Sequence, residues 1–227
     1  MPWLEIGGAD QFNLQLLEGL KRRGWSLTII TTLKSDHPLQ NSFYLITQDI
    51  FHLANFGDEA IYSSSIEYVV KSRSLSKIFV SNSLYGYYLL PWLKRKFPRI
   101  SIVDYIHCEE LNWYNGGYPF FSAVYTNLID KTYVSSKHLR NWCIRKGVNP
   151  DKIEVCYTNI DAVSVKKDFF QRIQKRNELQ LSNNKPVIIY VARLTPQKQP
   201  LIMTSVLAEL KKKESGLLLH YNWGRTK

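Results

Sequence analysis

PVIIYVARLTPQKQPLIMTSVLAELKKK, residues 186–213, decides the class of this protein. Its apolar run Val187-Ile188-Ile189-Tyr190-Val191-Ala192 is short, β-branched and bounded by Pro186. That reads as a strand buried on both faces, the kind found in parallel sheets. After a turn, Leu201, Ile202, Val206, Leu207 and Leu210 recur at helical spacing, and Lys211-Lys212-Lys213 close the helix at its negative dipole end. Between strand and helix stand two cations, Arg193 and Lys198, on a loop at the carboxyl end of a strand. In open α/β sheets that crevice receives ligands. An arginine fork beside a lysine point charge suits a diphosphate. The pair alone is weak, because most cations in surface loops are merely solvated.

The same alternation runs through the chain before it. Gly7-Gly8-Ala9-Asp10 opens a helix with Phe12, Leu16, Leu17 and Leu20 on one stripe, closed by Lys21-Arg22-Arg23-Gly24. Residues 27–32 then read as a strand. A glycine-rich loop of this kind normally follows a strand, yet only Met1 to Ile6 precede it, too few for strand and turn. The missing strand predicts a start inside a longer coding frame. Residues 33–57 are mixed, with a short strand expected at 43–46. A helix over 60–70 leads to a strand at 77–82, and a helix over 84–96 is expected to kink or break at Pro91. Tyr85, Tyr87, Tyr88 and Trp92 on it are expected to pack rather than to form a stacking platform. Residues 100–106 read as a strand ending in His107-Cys108-Glu109-Glu110, followed by a long aromatic loop, LNWYNGGYPFF. Residues 131–134 read as a strand, and Ser135-Ser136 cap a helix carrying Leu139, Trp142 and Cys143 that stops at Gly147. Asn149-Pro150-Asp151 turns into a strand at 152–157. Residues 161–184 are polar, with an amphipathic piece at 169–179. Strand and helix alternation of this kind makes an α/β fold with a parallel sheet.

Composition narrows the function. A chain of 227 residues, 44% hydrophobic, builds one sizeable core and part of a second. No apolar run is long enough to span a membrane, and the start lacks the basic-then-apolar order of a signal peptide. Cys108, Cys143 and Cys156 lack metal-ligand spacing, which predicts reduced structural thiols in a cytosolic protein. The net charge of +11 favours anionic partners. The basic triplets sit at helix ends, where dipoles already favour them, and no zinc-finger or RNP-like motif accompanies them. Nucleic acid is therefore not expected. A peripheral contact with anionic membrane, at its inner face, stays open.

Three segments carry a resemblance. ARLTPQKQP at 192–200 resembles the G-R-L-x-P-x-K-G segment of the family 4 retaining glycosyltransferases, two-domain enzymes of the GT-B fold. IGGADQFNLQLLEGLKRRGWSLTIITT is similar to that family's opening from its G-G-A-E loop onward. VSSKHLRNWCIRKGVNPDKIEVCYTNID is similar to its V-S, helix, K-G-V-x-x-x-K-I-x-V and N-G-V-D run, with Asn159 standing for the glycine, a change that suits a position needing φ > 0. The resemblance implies a GT-B-like α/β protein: a Rossmann-like acceptor-side domain over 1–160, lacking its first strand, an interdomain connection over 161–184, and an incomplete second Rossmann-like domain over 185–227. It implies transfer of a sugar from a nucleotide-diphosphate donor to an acceptor hydroxyl with retention, on a glycan or lipid-linked acceptor, in cell-surface polysaccharide or glycolipid synthesis. Arg193 and Lys198, with backbone N–H groups at Gly7 and Gly8, would hold the donor diphosphate or sugar, and His107 would lie beside the donor sugar. A histidine there is as often a hydrogen-bonded core group, and Glu109 and Glu110 receive no catalytic role. No cofactor and no metal are expected. The family's Glu-x7-Glu segment has no counterpart here, and the tail His220 to Lys227 does not match, which leaves the activity of this chain open. Two other classes remain: a different GT-B enzyme, such as a nucleotide-sugar epimerase or a phosphorylase, and a non-catalytic basic module for anionic membrane or nucleic acid.

Overall fold

The computed structural model describes residues 1–159, 168–184, 186–192 and 194–213, and the backbone of 218–222. The chain divides into two compact units, Met1–Ile160 and Asp161–Lys227.

In the first unit, helix α1 (Gly8–Arg22) turns through Gly24, at φ +83°, towards strand β1 (Ile29–Thr31), which pairs in parallel with β2 (Ile50–His52). Four further strands, β3 (Lys77–Ser81), β4 (Ser101–Ile106), β5 (Lys131–Val134) and β6 (Ile153–Val155), form a parallel sheet in that order. Parallel neighbours need crossovers. Helices α4 (Leu84–Tyr88) and α5 (Leu90–Lys96) lie between β3 and β4, α6 (Tyr118–Val124) between β4 and β5, and α7 (Lys137–Arg145) between β5 and β6. Ser81 pairs with Tyr105 and Ile106 with Val134, so the strands end together at one carboxyl edge. The largest core packs Tyr87, Leu90, Ile102 and Ile129 with Ile66 and Val70 of α3 (Tyr62–Ser72). Each such side chain contributes about 1.5–3 kcal/mol when fully buried.

Most elements form where the sequence predicts them. The 84–96 helix breaks at Leu89, with Pro91 in the first turn of α5, where its missing N–H costs nothing. Ser136 caps α7 by accepting from the Leu139 N–H at 3.1 Å, and Gly147 ends it at φ +107°. Tyr87 is fully buried and Tyr85 and Trp92 pack against the same core, while Tyr88 stays half exposed. Residues 1–4 are not a strand, yet they lie along β1: the Thr32 N–H meets the Pro2 carbonyl at 3.0 Å, and Leu4 is fully buried.

Two expectations fail in the first unit. Residues 43–46 are not a strand; helix α2 (Gln40–Tyr44) and its last turn stand there. Phe43 and Ile46 are buried while Leu45 is 90% exposed, and an inward pair three residues apart is helical spacing. The aromatic loop after Glu110 is helical in its second half, α6, begun by Gly117 at φ +79° with Pro119 in the first turn. On α1, Asp10, Asn13 and Gly19 are the buried residues and the leucines are only half buried, so close approach of the helix uses small and polar side chains.

The second unit holds α8 (Phe169–Glu178), β7 (Val187–Val191), α9 (Pro200–Lys213) and β8 (Leu218–Asn222), the last parallel to β7. Asp168 caps α8 through the Phe170 and Gln171 N–H groups at 2.9 and 3.1 Å. The expectation of a strand buried on both faces is wrong. Ile189 and Val191 are 62% and 72% exposed, so among the described residues one face of β7 is uncovered. The α9 stripe is likewise incomplete: Leu201, Ile202 and Val206 are exposed, while Met203, Leu207 and Leu210 are partly buried. Leu217 and residues 223–227 lie outside the described residues. No described helix is long and apolar enough to cross a membrane.

Candidate active site

β4 delivers His107 to the carboxyl edge of the sheet. The imidazole is held on several sides. Ser81, at the end of β3, meets Nε2 at 3.2 Å; the Tyr105 ring lies 4.6 Å away and the Phe12 ring meets it edge-on at 5.3 Å. Ser135 fixes the backbone, its hydroxyl donating to the His107 carbonyl at 2.8 Å. Burial drives the imidazole pKa down to about 4, because the charged form loses its hydration. His107 is thus neutral at pH 7, able to orient an oxygen and unable to act as a cationic acid.

Phe12 also ties the glycine loop to this place, since it sits one turn into α1 and its ring packs on Tyr105 at 4.1 Å. Gly7 is extended, with φ −165°, and a methyl on Gly8 would meet nothing within 4 Å. Neither position needs glycine for its backbone. What the missing side chains leave is open access to the first N–H groups of α1. Beside them lies Asp10, buried, its pKa raised to about 6 by desolvation. A carboxylate next to these N–H groups opposes a second anion, so this end of α1 suits a neutral sugar better than a phosphate.

Glu109 pairs with His138 at 3.2 Å, and Glu110 forms a backbone bridge with Gly116. Asn159 is not among the described residues with positive φ, so its place in the T-N-I-D run does not rest on left-handed geometry. Among the described residues no group of three or more His, Cys, Asp or Glu side chains is placed for a metal ion. Lys198, in the second unit, ends a short 3-10 turn (Pro196–Lys198) after β7; its carbonyl accepts from the Tyr190 hydroxyl and its side chain is exposed. Gln199 follows in the left-handed region at φ +50°. Arg193 lies outside the described residues. Ser81 escaped the sequence reading: a lone serine at a strand end carries no pattern.

Residues 6–163 match the sequence profile of Glycosyltransferase Family 4. The chain belongs to glycosyltransferase family 4. Its fold places it with GT-B structures. Anabaena Alr3699/HepE in complex with UDP and glucose aligns with a TM-score of 0.73 at 16% identity, over 97% of this chain and 59% of that one. The same protein with UDP-glucose aligns with 0.70 at 15%, over 97% and 58%. A putative UDP-N-acetylglucosamine 2-epimerase from Listeria monocytogenes aligns with 0.59 at 16%, over 96% and 60%. At such identities the likeness is one of fold, and the family 4 chain spans about three-fifths of the length of these structures. No curated protein sequence matches it.

Proposed function

We propose that this family 4 chain serves transfer of a sugar from a nucleotide-diphosphate donor to an acceptor hydroxyl, with retention at the anomeric carbon. The observation that carries the reading is the neutral, partly buried His107, in ring contact with Phe12 one turn into α1, within the segment that matches the family. HepE, of the same fold, is solved with UDP-glucose, which makes that nucleotide sugar the first donor to try.

As the bond between the anomeric carbon and the diphosphate breaks, the electron pair leaves with the diphosphate and the sugar becomes cation-like. Arg193 and Lys198 would stabilise the departing charge, each by a few kcal/mol at most. Gly7 and Gly8 would meet the sugar rather than the diphosphate, given Asp10, and His107 would orient the sugar. Protein cations in this role need no metal and no cofactor. The acceptor is a glycan or a lipid-linked glycan, in cell-surface polysaccharide or glycolipid synthesis, and the basic balance of the chain suits work in the cytoplasm at the anionic inner face of a membrane.

Isothermal titration of the full chain with UDP-glucose and UDP tests the donor site. The expected result is binding that Lys198→Ala and Arg193→Ala each weaken about tenfold or more. Binding of anionic vesicles or nucleic acid that falls steeply with salt and ignores Arg193→Ala would instead make the chain a basic binding module. The Listeria likeness supports a second reading, a nucleotide-sugar epimerase. Product analysis separates the two, a glycoside for a transferase against an altered sugar without one for an epimerase.

A further inference from the structure

We infer that Ser81 is a positioning residue for His107: its hydroxyl donates to Nε2 and fixes the imidazole as the Nδ1–H tautomer. A neutral imidazole has one donor and one acceptor nitrogen, and the group bonded to one nitrogen sets the role of the other. Ser81 is only 1% exposed, so water has little access to its hydroxyl proton. Among the described residues no hydrogen-bond partner other than His107 Nε2, at 3.2 Å, meets its Oγ. A buried hydroxyl with an acceptor in reach donates to it, because an orphaned donor bears the full desolvation penalty. Nε2 must then present its lone pair, and the ring proton goes to Nδ1. The Tyr105 and Phe12 rings hold the imidazole plane, and the Ser135 bond holds its backbone. Nδ1 has no partner among the described residues.

The consequence is chemical. His107 is a hydrogen-bond donor to a ligand oxygen and not a base, since its one lone pair is already engaged. That such an oxygen belongs to a donor sugar rests on the function proposed above; the tautomer does not.

Multiple-bond proton–nitrogen NMR of the full chain, labelled with nitrogen-15, reads the tautomer directly near neutral pH. His107→Gln assigns the signals by their loss. The expected spectrum shows Nε2 at the unprotonated, pyridine-like shift and Nδ1 at the protonated one. A protonated Nε2 in the unsubstituted chain overturns the inference without any variant. Ser81→Ala is expected to move the ring towards the Nε2–H form, and Ser81→Thr, which keeps the hydroxyl, to retain Nδ1–H. An unchanged tautomer in folded Ser81→Ala also sinks the idea. Addition of UDP-glucose is a separate arm: a fixed Nδ1–H tautomer with no response to UDP-glucose upholds Ser81's role and counts against the donor reading alone.

Discussion

At the scale of single residues, the four-stranded sheet buries one ionisable carboxyl group. Asp104 is fully buried in the middle of β4, and the Tyr87 hydroxyl donates to its Oδ2 at 2.8 Å. Burial lifts its pKa to about 6, while hydroxyls of Thr132, Tyr87 and Ser122 pull it partly back. The folded value lies above the unfolded 3.8, so this group's contribution to stability is fully present below pH 3.8 and lost as pH rises through 6. Asp104→Asn keeps an acceptor for Tyr87 and removes the ionisation. It is expected to raise the urea midpoint at about pH 8 and to leave it little changed at about pH 4. A variant no more stable at the higher pH would mean that Asp104 is not strained by ionisation. Tyr87→Phe removes the donor and should cost about 1–3 kcal/mol near neutral pH. Gln199 makes a second case. It holds φ +50° where the quoted family segment has glycine, and left-handed geometry costs a non-glycine residue about 1–2 kcal/mol. Gln199→Gly should therefore be tolerated or mildly stabilising in a thermal melt, whereas Gln199→Val should destabilise.

At the scale of elements, α7 shows how local chemistry fixes both ends of a helix. Ser136→Ala deletes the bond to the Leu139 N–H and is expected to cost about 1 kcal/mol. Gly147→Ala, at φ +107°, should cost at least as much; denaturant midpoints measured for both variants check the pair. These ends were legible in the sequence because a serine cap and a glycine stop are residue-specific requirements. The break between α4 and α5 was legible for the same reason, through Pro91. α2 and α6 were not. α2 is five residues long, too short to show a period, and only the burial of Phe43 and Ile46 reveals its sense. α6 hid in an aromatic run, though Gly117 followed by Pro119 is a helix-start signal that a closer reading finds. β7 was legible as a strand but not in its burial, because a continuous apolar run reports composition and leaves open which face is covered. The site divides likewise. His107 was legible as the residue ending a buried strand, and the Gly7-Gly8 opening as a helix start. Ser81 and Asp10, which set the tautomer and the charge around them, became visible only once β3, β4 and α1 met at one edge.

At the scale of the whole molecule, buried titrating groups pull stability in opposite directions with pH. Asp10 and Asp104 are raised from 3.8 to about 6, so folding is helped by their protonation and hindered as pH rises through 6. His107 is lowered from 6.5 to about 4, and burial lowers the Met1 amino group from 8.0 to about 6. The folded chain resists protonating these, so their contribution is present above the unfolded values and lost as pH falls through the folded ones. The two sets move by comparable amounts and offset each other to first order. His37 and His52 remain. Both are lowered, chiefly by burial, and their rings stack at 3.9 Å. His37 Nδ1 accepts from the Leu4 N–H at 3.2 Å, and His52 Nδ1 bonds Thr31 Oγ1 at 2.8 Å. Glu5 and Asp36 favour a charge on His37, but less than desolvation opposes it, and a second charge on His52 would face the first. The net charge of +11 adds repulsion to every proton taken up. Stability should therefore fall as pH drops from about 7 to about 5, the window below the unfolded histidine value. Urea midpoints across that range measure it. The double variant His37→Asn, His52→Asn keeps an acceptor oxygen near each Nδ1, and asparagine suits the φ of +48° at position 37. That variant is expected to flatten the slope. A chain that gains stability on acidification would show instead that the two buried aspartates outweigh the stacked histidines.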